Sequence, residues 1–282
     1  MQNLTITLIQ TELAWEDKKK NLAMLDEKIE KIDKKNDLII LPEMFSTGFS
    51  MNAEKLAEEM EGPTISWLLL KSKQKNADIV GSLIVRENGK FFNRLVWAKP
   101  TGALLTYDKK HLFRFAGEEK IFSAGETHVL VDLCGWKIRP FICYDLRFPL
   151  WTRNFNNQYD LAIFIANWPE KRAAHWNALL PARAIENQCF VAGVNIVGRD
   201  GKGLTYIGDS CVIDPVGKVL FHRSGKEIIH TAVLSYSVLK DYRMAFPAWM
   251  DADSLMSPNF QNGCYRDCHQ SIQIEAEEDE TG

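Results

Sequence analysis

Three apolar runs in this chain stop abruptly at a side chain that can do chemistry. "LIILPEM" ends at Glu43, "LLTYDKKHLF" at Lys109 and "FICYDLRFP" at Cys143. A carboxylate, an amine and a thiol together suffice for acyl transfer. The carboxylate takes the thiol proton, the sulfur attacks a carbonyl or nitrile carbon, and the ammonium stabilises the negative charge that develops. Singly, each has a plainer reading. Free cysteine is among the most buried residue types, a Glu after Pro suits a surface turn, and one of Lys109 and Lys110 is expected in solvent. What joins the three is position, because strand ends and the loops after them collect sites on a rigid sheet.

The elements that must position them are short and β-rich. Strands are predicted over 4–10, 37–43, 77–85, 91–98, 103–109, 128–133, 137–144, 160–166, 190–198, 210–215, 218–222 and 228–236. "ENGK" at 87–90 reads as a hairpin turn and "DPVGK" at 214–218 as a second turn. Helices are predicted over 17–34, with Leu22, Leu25, Ile29 and Ile32 on one face, over 63–75 and over 170–187. Pro181 implies a bend or break in the last of these. Some strands are apolar throughout and others alternate, which suggests a sheet buried on both faces, strands facing it, and helices packed outside. No linker divides residues 1–245, so one domain is expected there. Residues 246–282 read as a C-terminal extension with an acidic, mobile end.

Composition narrows the class. The 282 residues are 46% hydrophobic and 25% charged, enough to bury a core without disulfide or metal staples. A formal net charge of −3 gives no bulk signal for nucleic acid or an anionic membrane. No run approaches the ~18 apolar residues of a membrane span, and the N-terminal stretch lacks a basic start followed by a long apolar segment. A cytoplasmic protein is expected, its six cysteines free thiols.

Four motifs, in order, carry a resemblance: "LPEMFSTGF" (41–49), "YDKKHLF" (107–113), "CYDLRFP" (143–149) and "HWNALLPARAIENQCFVAGVN" (175–195). Together they resemble the carbon–nitrogen hydrolase, or nitrilase, superfamily over roughly the first 240 residues. "CYDLRFP", "NWP" at 167–169 and "MAFPAWMDADSL" are similar to its omega-amidase branch, which hydrolyses monoamides of dicarboxylic α-keto acids. The resemblance implies an α+β fold, a four-layer α-β-β-α sandwich, commonly with two protomers packed as a homodimer. It implies Glu43 as general base, Lys109 rather than Lys110 as the oxyanion-stabilising lysine, and Cys143 as nucleophile. A second glutamate falls on Glu118 or Glu119, and the spacing to Gly125 favours Glu118. Cys143 would sit on a strand-to-helix elbow that exposes the Tyr144 N–H to the substrate oxygen and favours thiolate. The substrate is then a small-molecule amide with water as the second substrate, and no cofactor is required.

Other residues were weighed against plainer roles. An omega-amide carries a distal carboxylate, for which Arg172 in "NWPEKRAAHW" is the preferred clamp. Arg147 is the second choice, or else a brace for the elbow through Asp145. Phe45 and Trp168 are expected as pocket walls. His111 reads as a support for the lysine loop and His175 as structural. "CYRDCH" at 264–269 lacks the partners of a closed zinc site, and "GRDGKG" at 198–203 lacks a phosphate-loop ending. Three competing readings share these residues: an N-carbamoyl-amine hydrolase, a nitrilase, and a catalytically silent scaffold of the same fold.

Overall fold

Alternation of apolar and polar residues along the first strands already separates an inner from an outer face, and the computed structural model, which describes residues 2–33 and 35–252, shows what each face meets. Strand β1 (Leu4–Gln10) is followed by helix α1 (Lys18–Glu30), β2 (Leu38–Ile40), a short α2 (Ala53–Leu56) and α3 (Pro63–Lys75). β3 (Asp78–Glu87), β4 (Lys90–Ala98) and β5 (Leu104–Asp108) come next. β6 (Val131–Leu133), β7 (Trp136–Ile142), α4 (Pro149–Thr152), β8 (Leu161–Ile165), α5 (Ala173–Asn187) and β9 (Phe190–Val194) follow. The order closes with β10 (Val197–Arg199), β11 (Thr205–Ile213), β12 (Val219–Ser224), β13 (Ile228–Leu234) and α6 (Tyr236–Ala245).

One sheet runs β13-β1-β2-β3-β4-β5 and the other β10-β11-β9-β8-β7-β6, with β12 also pairing β11. β1, β2 and β3 are parallel to one another, as are β7, β8 and β9, while the flanking pairs are antiparallel. Leu4, Ile6, Leu8, Leu95 and Trp97 of the first sheet share one core with Ile138, Ile163 and Val212 of the second. The residues between them in sequence, such as Ile9 and Val96, face outward onto Leu25 and Ile29 of α1 and Ile65 and Leu68 of α3. On the far side α5 covers β9 and β11. The layers are helix, sheet, sheet, helix.

Local chemistry sets the element ends. The side chain of Asp17 accepts from the Lys20 N–H and caps α1. The β3–β4 turn places Asn88 and Gly89 at φ 50° and 73°, the left-handed pair that a tight hairpin needs. Two expectations are corrected. α5 runs without a break through Pro181, because its packing outweighs the lost intrahelical bond. Trp176 and Leu180 lie so close over Gly193 that a Cβ there would sit 3.0 and 2.6 Å from them. The predicted strand 190–198 divides into β9 and β10 at Asn195, whose side chain donates to the Trp168 and Gly208 carbonyls and accepts from the Trp168 N–H.

The acidic C-terminal segment and "CYRDCH" fall outside the described residues. Among the described residues no helix is long and apolar enough to cross a membrane.

Candidate active site

Lys109 and Cys143 follow directly on β5 and β7, and Glu43 comes three residues after the end of β2. After β2 the chain turns at once, with Met44 at φ 44°, and the turn is pinned to β3. The Met44 N–H donates to Ser82 Oγ (2.8 Å) and the Phe45 N–H to the Ser82 carbonyl (3.1 Å). Lys109 extends β5 by one residue, its N–H donating to the Asn93 carbonyl at 3.0 Å. It follows Leu105 and Tyr107 on the face turned toward the second sheet.

Cys143 ends β7 at φ 45° and opens a 3-10 turn over Cys143–Arg147. A non-glycine residue there stores about 1–3 kcal/mol of strain and persists only if its surroundings hold it. Asp145, fully buried, does much of that. Its carboxylate accepts from the Ile142 N–H (3.1 Å), the Tyr107 hydroxyl (2.6 Å) and the His111 N–H (3.0 Å), and meets His111 Nδ1 at 2.8 Å. The elbow and the lysine loop are thereby tied together. Arg183 of α5 adds two donations to the Leu146 carbonyl.

The side chains converge between the sheets. Lys109 Nζ lies 2.8 Å from Glu43 Oε1 and 3.1 and 2.9 Å from the two oxygens of Glu118. All three residues are 0% exposed and Cys143 is 8% exposed. Burial alone would lower the Lys109 ammonium, but Glu118 and Glu43 outweigh it and hold the group charged well above its ordinary range. Glu118 is raised, chiefly by burial, against the pull of Lys109. Burial, then the Glu43 charge, pushes the Cys143 thiol far up. The expected thiolate-favouring elbow is therefore not what the structure holds. A five-residue 3-10 turn presents little dipole, and desolvation dominates. Such burial favours the protonated sulfur, and the Glu43 charge favours it further.

A family model for carbon-nitrogen hydrolases matches residues 5–243. The chain belongs to the carbon–nitrogen hydrolase family. Omega-amidase YafV of Escherichia coli K12 is 46% identical over 256 residues, covering 90% of this chain and 98% of that one. The 2-oxoglutaramate amidase of Bacillus subtilis 168 is 36% identical over 251 residues, covering 88% and 96%. XC1258 from Xanthomonas campestris, a superfamily protein with an arsenic adduct in its active site, superposes with a TM-score of 0.89 at 44% identity, covering 91% of this chain and all of that one. These place the chain in the omega-amidase branch of the nitrilase superfamily, with the four-layer fold the motifs imply, as a hydrolase of carbon–nitrogen bonds other than peptide bonds.

In this hydrolase a cavity of about 310 Å³ opens over Cys143, with Phe49, Tyr144, Trp168, Arg172 and Lys202 among its walls. Phe45 is not among them. The turn that sends Glu43 inward sends Phe45 to the outer core, where its ring lies 5.9 Å from that of Trp67. Phe49 takes the expected place, its ring 5.1 Å from Lys109 Nζ. The Arg172 guanidinium lies 5.1 Å over Phe113 and 5.8 Å over Phe115, and has no carboxylate partner among the described residues. Arg147 does not brace Asp145. It hydrogen-bonds His175 Nδ1 at 2.7 Å and lies 4.9 Å over Trp168. Glu119 stands apart from the cluster, 3.7 Å from Arg114.

Two amides went unread in the sequence. Asn93 Nδ2 donates to Glu43 Oε1 (2.8 Å) and Glu118 Oε1 (3.2 Å). Asn167 donates its N–H to Glu43 Oε2 at 2.8 Å and its side-chain amide to the Glu43 carbonyl. A lone Asn in each of the apolar runs "FFNRLVWA" and "FIANWP" was the available signal.

Proposed function

We propose that the protein is a cysteine-dependent amidohydrolase that releases ammonia from the omega-amide of a small dicarboxylic α-keto acid through a thioester. The observation that carries this is the buried cluster of Glu43, Lys109, Glu118 and Cys143, of which Cys143 lines a small cavity whose wall includes Arg172, without a carboxylate partner among the described residues. That cavity is at the small end of the ~300–1,000 Å³ range of ligand pockets. The names borne by the Escherichia coli and Bacillus subtilis relatives support the same substrate class.

In this reading Glu43 takes the proton from Cys143 as the sulfur bonds to the amide carbon. The oxygen becomes an oxyanion held by Lys109 and the Tyr144 N–H. Glu43 then delivers its proton to the nitrogen, the C–N bond breaks, and ammonia leaves a thioester on Cys143. Water attacks that thioester while giving a proton to Glu43. Collapse breaks the C–S bond, returns the proton to sulfur and frees the acid. Glu118, bonded to Lys109 and to the Phe113 N–H at 2.6 Å, positions the ammonium. Arg172 receives the distal carboxylate, and Trp168 and the aromatic rings around Arg172 form the walls. No cofactor takes part. A homodimer belongs to the same reading, supported by the exposed Met244, Phe246 and Met250. So does a cytoplasmic setting, supported by the free thiols of Cys134, Cys143, Cys189 and Cys211.

The test is ammonia release from α-ketoglutaramate, with glutamine, asparagine, an N-carbamoyl amino acid and a simple nitrile alongside, for the parent and Cys143→Ala. Release from the keto-acid amide that falls by orders of magnitude in the folded variant is expected. Substantial residual turnover in Cys143→Ala would exclude covalent catalysis through this thiol, and preference for the carbamoyl compound or nitrile would overturn the substrate class.

A further inference from the structure

Asn93 stands on β4 with Leu95 and Trp97, on the face that should be apolar, and is fully buried. Both of its amide hydrogens are used, one on Glu43 and one on Glu118, while its Oδ1 is buried with no hydrogen-bond partner among the described residues. A buried orphan acceptor is costly, and a leucine of similar volume would remove that cost. The position therefore needs the N–H groups, not merely the bulk.

The charge count says why. Two buried carboxylates share one ammonium, whose nitrogen lies 2.8 Å from Glu43 and 2.9 and 3.1 Å from Glu118. The other groups bonded to these carboxylates are donors too: the Phe113 and Asn167 N–H groups. Glu43 Oε1 and Glu118 Oε1 both lie within reach of the same Lys109 and Asn93 nitrogens. Without an amide between them, these two oxygens can share a proton, as close carboxylates do. The titratable groups facing Asn93 are Glu43, Lys109, Glu118 and Cys143, with Tyr206 of β11 close enough to sense the last. Arg94, the next residue on β4, pairs with Glu87 and Asp108.

We infer that Asn93 is a positioning residue that keeps Glu43 and Glu118 from sharing a proton, so that Glu43 is free to accept the one from Cys143. This rests on the reading of Glu43 as the base.

The test compares the parent with Asn93→Leu and Asn93→Ser over ~pH 5 to ~pH 9, a span that covers perturbed carboxylates. Two rates are followed: kcat/KM on α-ketoglutaramate, and alkylation of the Cys143 peptide by iodoacetamide, read by mass spectrometry. The acid limb of both profiles is expected to move up by about 1–2 pH units in Asn93→Leu and by less in Asn93→Ser. The loss is then about ten- to hundredfold at the acid end, shrinking to a few-fold at the alkaline end. A loss uniform in pH, with the limb unmoved in whichever variant folds, makes Asn93 a packing residue and overturns the inference. A parent labelling profile with no acid limb overturns the base reading and this inference with it. A limb that moves in labelling, in a protein that hydrolyses none of the amides, upholds Asn93 and refutes only the substrate assignment.

Discussion

Replacing Lys109 with methionine shortens the side chain by its terminal atom and removes the one cation from a box of two carboxylates, all three residues 0% exposed. Removing one partner from a buried ion pair costs about 3–5 kcal/mol, because the charge left behind has no compensation. For a chain of this size that lowers the melting temperature by roughly 10 °C. The loss should also depend on pH. In the variant Glu118, already raised by burial, loses the opposing pull of Lys109 and is held above the ~4.3 of an exposed glutamate, so the folded state binds more protons than the unfolded state. Stability then falls as pH rises. In the parent, Lys109 is itself raised, so its contribution persists until pH climbs beyond the unfolded lysine range near ~10.4. Between ~pH 5 and ~pH 8 the gap between parent and variant must therefore widen. The assay is thermal melting at both ends of that window for the parent, Lys109→Met, Glu118→Gln and the double variant. Removing Glu118's charge along with the lysine should recover about 1–3 kcal/mol, making the double variant more stable than Lys109→Met alone. Strict additivity, or a gap that does not change with pH, would refute the account of the box as two carboxylates held by one ammonium.

Two further outcomes follow from single contacts. Arg172→Ala should raise KM for α-ketoglutaramate about tenfold or more, with kcat changed little and a neutral amide unaffected; steady-state kinetics on both substrates check it, and an unchanged KM sinks the clamp. Gly125→Ala would put a Cβ 2.2 Å from the Asp108 carbonyl oxygen, against the backbone that carries Lys109, so it should lose about 1–3 kcal/mol in urea unfolding and depress turnover, whereas a melt like the parent's would show that this loop yields freely.

The strands were legible because period-2 patterning and apolar runs report burial directly, and each predicted run has its counterpart in the sheets. β2 came out shorter than 37–43 because Pro42 and the left-handed Met44 turn the chain early. Glu43, Lys109 and Cys143 could be picked out because strand ends concentrate reactive groups, but which way a turn throws its side chains is not written in their types. That is why Phe49, and not the expected Phe45, walls the cavity. Asn93 escaped notice for the opposite reason: inside a strand, one amide reads as a blemish until the carboxylates beside it, from residues 50 before and 25 after, are in view. Asp145 is similar. Its partners Tyr107 and His111 lie far upstream, and only the meeting of the two sheets turns the three into a strut.

The three residues are divided between the sheets: Glu43 and Lys109 come after strands of the first, Cys143 after a strand of the second. The last strand of the first sheet, β13, comes from Ile228–Leu234 and lies beside β1 at the other end of the sequence. During synthesis, which delivers the N-terminal half first, the base and the lysine emerge long before the thiol, and the layer that presses them together is completed later still. A nascent chain thus carries an ordinary cysteine among strangers. In the proposed mechanism its part as nucleophile waits on closure of the sandwich, which brings Glu43 and Lys109 together with it.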